Sequence, residues 1–466
     1  MDDFNPTDQD VADLFCEFLR FKTVSFEGHR TGQNVACVAF LEKSLRRIGL
    51  QTEVLAGPEN ACKLGEKPVL IGKWPGQDES LPAVLLNSHY DVVPVISECW
   101  SKPAWDGVVL TEDGEDRIYG RGSQDMKCVC MQYVAAIARL KARGFQPLRT
   151  IYLTFVPDEE VGGAGMKSLV DSDAFKKMQV GVALDEGLAN PSEDAFTVFF
   201  GERSPWWVLV EAKGPTGHGS RFIEGMATHA LTAFQQSAWR YRKAQRKRLG
   251  LTAFGCAHCE ALKLGDVMTI NLSMLKAGVS PDGGSTYNLN VMPTEASAGF
   301  DIRIPVTMPM PEVAAMLTGW CREAEGEADA EPGSVAWKIA PWSSAFQEHF
   351  ISAADDANPW WNTFCRGITS ADVLEGKVGI VKEIFPAGTD SRFLRALGIP
   401  AFGFSPMRGC PILLHEHDEY IPRKVLLEGV QVYESLIPAL ASLEDFQSGV
   451  EDGTRQQLMP QSSSKM

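Results

Sequence analysis

No apolar run in this 466-residue chain approaches the roughly 18 to 20 residues that a membrane span needs. The start, Met1-Asp-Asp-Phe-Asn-Pro, lacks an apolar segment of the secretory kind, so no export signal is expected. Basic charge is also short, with 44 Lys and Arg against 60 Asp and Glu. A net charge of -16 argues against nucleic acid or an anionic membrane as partner. The 11 cysteines are odd in number and scattered, which points to reduced thiols in the cytoplasm rather than a disulfide framework. Cys256-Ala-His-Cys259 has no second CxxC to complete a structural zinc site, and Cys128-Val-Cys130 is the only other close pair. Internal repeats are absent. What remains, 44% apolar and 22% charged, is an ordinary globular composition long enough for two domains.

Apolar periodicity predicts amphipathic helices over 8 to 24 and 32 to 49, then short strands at Val69–Trp74 and Ala83–Asn87. A helix over Met126–Arg143 follows, with Asp125 as its N-cap. Next come a strand at 150 to 156, a helix at about 164 to 178 and a strand at Val180–Leu184. This alternation implies an α/β fold with a mostly parallel, covered sheet. The order changes near Glu202: a strand from Trp206, a helix over 226 to 248, strands at 268 to 273 and 295 to 303, and a helix over 310 to 324. It reads as a smaller α+β domain inserted at 202–325 between two parts of the main domain, 1–201 and 326–445. The basic end of the 226 to 248 helix reads as a solvated face. Alternation resumes with Val378–Ile384, Ala401–Phe404 and a helix over 423 to 442. The polar tail, 446–466, is expected to be disordered.

The chemistry gathers at strand ends. The buried run Thr150–Val156 is closed by Pro157 and followed by Asp158, Glu159, Glu160 and the turn-forming Gly162 and Gly163. Alone, such a triplet reads as a solvated acidic turn; a cation among the carboxylates becomes the better reading only with partners. Partners exist. His89 and Asp91 follow the strand Ala83–Asn87, two apart and so on one side of extended chain, where the carboxylate can orient the imidazole. Asp125 follows a glycine-rich turn, Glu186 lies just past an apolar strand, and His415 follows another. In open α/β sheets the carboxyl rim of the strands is where ligands bind. Two histidines with several carboxylates suit zinc, cobalt or manganese, and two ions account for the carboxylates better than one.

These motifs resemble those of the M20 family of co-catalytic zinc metallopeptidases, from about residue 10 to 442. The matching stretches are Leu86-Asn-Ser-His-Tyr-Asp-Val-Val-Pro94, Arg121-Gly-Ser-Gln-Asp-Met-Lys-Cys128 and Thr154-Phe-Val-Pro-Asp-Glu-Glu-Val-Gly-Gly163. They continue through Ala183-Leu-Asp-Glu-Gly-Leu-Ala-Asn190, Glu202-Arg-Ser-Pro-Trp-Trp207, Gly217-His-Gly-Ser-Arg-Phe222 and Gly403-Phe-Ser-Pro-Met407. The fourth and fifth are closest to the branch that hydrolyses N-acyl-L-amino acids to a carboxylate and a free L-amino acid. A dipeptidase or carboxypeptidase of the same family is the alternative.

The resemblance implies two zinc ions per subunit, with cobalt or manganese as substitutes. His89, Asp125 and Glu186 would hold one, and Asp125, Glu160 and His415 the other. Asp91 would orient His89, and Glu159 would be the general base toward a metal-bridging water. His417 competes with His415, but the family pattern places the ligand at the first histidine. The inserted domain would form a homodimer and send His218 into the neighbouring site to stabilise the oxyanion. Asn290 and Arg392, with Gly388 beside them, would receive the substrate carboxylate. Two departures stand out: the segment Leu262–Asn288 is longer and richer in glycine, and Gly388 replaces a more usual alanine. A dinucleotide-binding reading of Gly120-Arg-Gly122 fails for want of the remaining glycines. A non-catalytic binding protein would have lost a ligand or Glu159, and none is lost.

Overall fold

The computed structural model describes residues 4–58, 63, 65–250, 262–341, 343, 345–346, 348–376 and 378–444. The Cys256 and Cys259 pair and the expected disordered tail lie outside the described residues.

Helices α1 (Asp8–Leu19) and α2 (Gln33–Arg47) open the chain, slightly shorter than expected. The Thr7 hydroxyl accepts from the Asp10 N–H and the Asp10 carboxylate from the Thr7 N–H, a reciprocal cap that fixes where α1 begins. Then follow β1 (Gln51–Leu55), β2 (Val69–Trp74), β3 (Ala83–His89), the hairpin β4 (Val108–Glu112) and β5 (Glu115–Tyr119), α3 (Lys127–Ala142) and β6 (Ile151–Val156). The helix expected over 164 to 178 is two, α4 (Ala164–Asp171) and α5 (Asp173–Met178). Ser172 breaks it: its backbone is extended and its hydroxyl accepts from the Phe175 N–H, capping α5. The chain continues through β7 (Val180–Asp185), β8 (Ala195–Glu202), β9 (Ser204–Lys213), α6 (Ala227–Arg248), β10 (Thr269–Ala277), β11 (Glu295–Ile304), α7 (Met310–Glu327) and β12 (Val335–Ile339). It closes with α8 (Pro359–Thr369), β13 (Gly379–Phe385), α9 (Ser391–Ala396), β14 (Ala401–Phe404), β15 (Tyr420–Pro422) and α10 (Arg423–Ala441).

Eight strands form the main sheet in the order β1-β2-β6-β3-β7-β14-β8-β13. From β6 to β14 the neighbours are parallel, as are β8 and β13; β1, β2 and the β14–β8 contact are antiparallel. The mostly parallel α/β sheet is therefore as expected. Every residue of β3 is buried, which is why its sequence lacks alternation. Helix α3 is apolar nearly all round because it is covered by α10, with Tyr133 and Tyr433 rings 4.6 Å apart.

A second sheet, β10-β11-β9-β12, is antiparallel throughout. Strand β9 alternates: Trp206, Val208, Val210 and Ala212 point into a separate core with Phe234, Phe300 and Leu317, under α6 and α7. Its edge strand β12 lies beyond residue 325. Strands β4, β5 and β15 make a third, small sheet. No helix among the described residues is long and apolar enough to cross a membrane.

Candidate metal centre

Because β6, β3 and β7 are adjacent and parallel, their carboxyl ends share one rim. His89 is the last residue of β3, Glu186 follows β7 directly, and Glu159 and Glu160 follow β6 after Pro157 and Asp158. Asp158 takes a left-handed backbone, φ 65°, and its carboxylate meets the buried Lys67 ammonium at 2.8 Å. That turn points the next two glutamates to different places. Gly163 closes it with φ 71°; a Cβ there would lie 3.0 Å from both Arg392 Nη2 and Asp390 Oδ1, so glycine is needed for conformation and space.

Asp125 is the correction to the expected helix cap. Helix α3 begins only at Lys127, Met126 takes the cap position without a side-chain bond, and Asp125 turns its carboxylate elsewhere. One oxygen, Oδ1, lies 3.1 Å from His89 Nε2 and the other, Oδ2, 3.2 Å from His415 Nε2. His415 Nε2 is also 3.0 Å from Glu160 Oε2, and His89 Nε2 is 3.6 Å from Glu186 Oε2. Ligand atoms of His89, Glu159 and Glu186 lie within 4.8 Å of one another, and so do those of Asp125, Glu160 and His415. The two groups meet at Asp125. His417 makes no such contact among the described residues.

Asp91 does more than accompany His89. Its Oδ1 accepts from the Glu159 N–H at 3.1 Å and its Oδ2 from the Ser25 hydroxyl at 2.8 Å. Its backbone oxygen is 3.0 Å from His89 Nδ1, closer than its carboxylate at 3.5 Å. The ring is thus oriented chiefly by the Asp91 carbonyl, while the carboxylate anchors the turn bearing Glu159.

The electrostatics are those of crowded buried carboxylates. Burial, then the charge of Glu186, pushes the Glu159 carboxyl well above its ordinary range. Burial also raises Glu186, against the pull of His89. Burial and Asp125 bring Glu160 up to about 7. Burial opposes charge on Asp125, but His415 and His89 hold its carboxyl well below the usual range. His415 is raised to about 10 by Asp125 and Glu160. Burial pulls His89 down, yet Asp125, Asp91 and Glu186 together raise it well above a free imidazole. Such a cluster is stable only with protons or cations among the carboxylates. The residues fit divalent metal: imidazole and carboxylate donors converge in two sets, and Glu160 Oε1 is buried with no hydrogen-bond partner among the described residues.

The other expected residues divide into two places. Arg392 is buried near the acidic turn, its Nη1 2.5 Å from where a Cβ on Gly388 would stand. His218 and Asn290 lie together on the smaller unit: His218 bridges Val291, and the Gly219 N–H donates to the Asn290 carbonyl at 2.8 Å. Both are exposed, and neither touches the cluster among the described residues. Several participants escape sequence reading. Asp185 accepts from Asn87 Nδ2 at 3.0 Å and from the Ser391 hydroxyl at 2.7 Å behind Glu186. Asp390 is buried with both oxygens unpartnered among the described residues. Asp185 carried the signal of a carboxylate abutting an apolar run, and Asp390, between Thr389 and Ser391, carried none.

The model of peptidase family M20/M25/M40 matches residues 85–439. Aminoacylase-1 of Dictyostelium discoideum is 40% identical over 433 residues, covering 92% of this chain and 97% of that protein. Aminoacylase-1 of Sus scrofa is 42% identical over 434 residues, covering 92% and 95%. Among solved structures, a dinuclear metal-binding peptidase of the M20 family from Bacillus subtilis has a TM-score of 0.60 at 16% identity, covering 93% of this chain and 97% of its own.

Proposed function

The chain belongs to peptidase family M20/M25/M40, and we propose that it hydrolyses the amide bond of N-acyl-L-amino acids, releasing a carboxylate and a free L-amino acid. The identity of 40% and 42% to two aminoacylase-1 proteins over 92% of the chain supports the substrate class. The observation that carries the reaction is Asp125 standing between two histidines, at 3.1 and 3.2 Å, each with its own glutamate.

His89, Asp125 and Glu186 would hold one zinc ion, and Asp125, Glu160 and His415 the other, with cobalt or manganese as substitutes. When bound, such ions lower the pKa of water and stabilise negative charge on the amide oxygen. Glu159, anchored through its N–H by Asp91, would take a proton from the attacking water and return it to the leaving nitrogen. Its raised affinity for a proton suits both halves of that transfer. Arg392 would grip the substrate carboxylate with its planar fork, and Asn290 would assist. His218 and Asn290 sit on the smaller unit, so in this reading they complete the site of a second copy in a homodimer. The sheet of that unit, β9 to β12, spans Ser204 to Ile339 with α6 and α7, and in this reading the inserted domain ends after β12. We place the protein in the cytoplasm, and the described cysteines are free.

Hydrolysis of N-acetyl-L-methionine, before and after chelation and zinc add-back, tests the proposal. Activity lost on chelation and restored by zinc is the expected result. Bound zinc with no turnover of that substrate, but cleavage of a plain dipeptide, would overturn the substrate class in favour of a peptidase.

A further inference from the structure

Loop 120–125, which carries Asp125, and loop 410–420, which carries His415, are far apart in the chain but are tied side by side. Strand β15 pairs with β5 in the register Tyr420 to Tyr119, so Glu419 enters the main-chain turn that follows β5. Its side chain is fully buried. Oε2 accepts from the Gly122 N–H at 2.9 Å and from Arg121 Nη1 at 2.7 Å. Oε1 accepts from the Gln124 N–H at 2.6 Å and the Asp125 N–H at 3.2 Å. One carboxylate thus satisfies three backbone donors of the loop, those of Gly122, Gln124 and Asp125, and its arginine. Gln124 returns the tie: its Nε2 donates to the carbonyls of Pro411 and Tyr420 at 3.0 and 2.8 Å, and its Oε1 accepts from the Leu413 N–H at 3.0 Å.

A carboxylate that only needed neutralising would be served by Arg121 alone. The three backbone bonds fix the dihedrals of the segment ending at Asp125, while the backbone of Glu419 lies four residues from His415. We infer that Glu419 is a positioning residue which, with Gln124, sets the separation of Asp125 and His415 and so tunes the metal site those two share with Glu160. Neither His89 nor Glu186 touches this clamp. The site of Asp125, Glu160 and His415 depends on it through two ligands, and the site of His89 and Glu186 through Asp125 alone. Its loss therefore weakens the two sites unequally.

The inference rests on the metal-centre reading, and the experiment separates the two. Zinc affinity of metal-stripped protein is measured by competition with a chromophoric chelator, for the unaltered chain and for Glu419→Gln. Glutamine keeps the shape but presents an N–H₂ to two of the four donors, so half the clamp becomes repulsive. The expected result is a folded variant in which one zinc is held within threefold of the unaltered protein and the other has a Kd raised at least tenfold. Unchanged affinities, or an equal loss at both sites, would overturn the positioning role. If Glu419→Gln does not fold, Gln124→Met cuts the tie from the other loop; a weakening of at least threefold confined to one zinc is expected, and none overturns the inference. An unaltered protein that binds no zinc overturns the metal-centre reading itself.

Discussion

Replacing Glu159 by glutamine separates turnover from metal binding. The Glu159 N–H would stay on Asp91 Oδ1 at 3.1 Å, so the turn and Glu160 keep their places. The side chain keeps its volume but loses the proton acceptor, and one negative charge leaves a pocket where Glu186, Asp390 and Glu160 already repel it. Loss of a general base costs about 10²- to 10⁴-fold in rate, which is about 3 to 5 kcal/mol of barrier. We expect kcat for N-acetyl-L-methionine to fall by that factor, two zinc ions per chain to remain, and the thermal midpoint to hold or rise. The assay is steady-state hydrolysis alongside zinc content after dialysis. Glu159 also lies within 4.8 Å of His89 and Glu186 at their ligand atoms, so the geometry allows it to be a ligand. A variant retaining one zinc would assign it that role, and activity within tenfold of the unaltered protein would refute the base.

Gly388→Ala would place a Cβ 2.5 Å from Arg392 Nη1, so the guanidinium must move. With a charge-assisted bond disturbed, KM is expected to rise about tenfold while the fold and zinc content hold; steady-state kinetics checks this, and an unchanged KM removes Arg392 from carboxylate binding. His218→Ala is expected to lower kcat about 10²- to 10³-fold with the proposed homodimer unchanged by sedimentation; an unaffected rate would show that the smaller unit does not complete a site.

Much of this molecule was legible in order along the chain. The runs that became β2, β3, β6 and β7 are apolar because covered sheets bury both faces, and they read as strands without any partner. The residues at their ends, His89, Glu159, Glu160 and Glu186, stood out because charge directly after a buried run is costly unless used. The apolar run of α3 marks the helix but not its first residue. A carboxylate before a helix reads locally as a cap; the family resemblance already implies a ligand at Asp125, and the structure sets it between two imidazoles at 3.1 and 3.2 Å. The break at Ser172 lies within a longer periodic stretch, and the hydroxyl that caps α5 there is a local signal.

Other features belong to tertiary structure alone. Strand β8 pairs with β13 and β14, and β12 with β9, contacts between distant segments whose composition does not name a partner. His415 and His417 flank one residue in the same loop, and periodicity and charge do not separate them, although the family pattern singles out His415; the tie from Glu419 to Gly122 and Gln124, across nearly 300 residues, brings that loop to Asp125, where the His415 ring makes the contact. The same holds for Lys67, whose ammonium reaches Asp158 across 91 positions. Periodicity and charge decide what each segment wants to bury, because those are properties of neighbouring side chains. Which buried group meets which is decided by chain folding, since a hydrogen bond or ion pair of 3 Å constrains distance in space and leaves distance in sequence free.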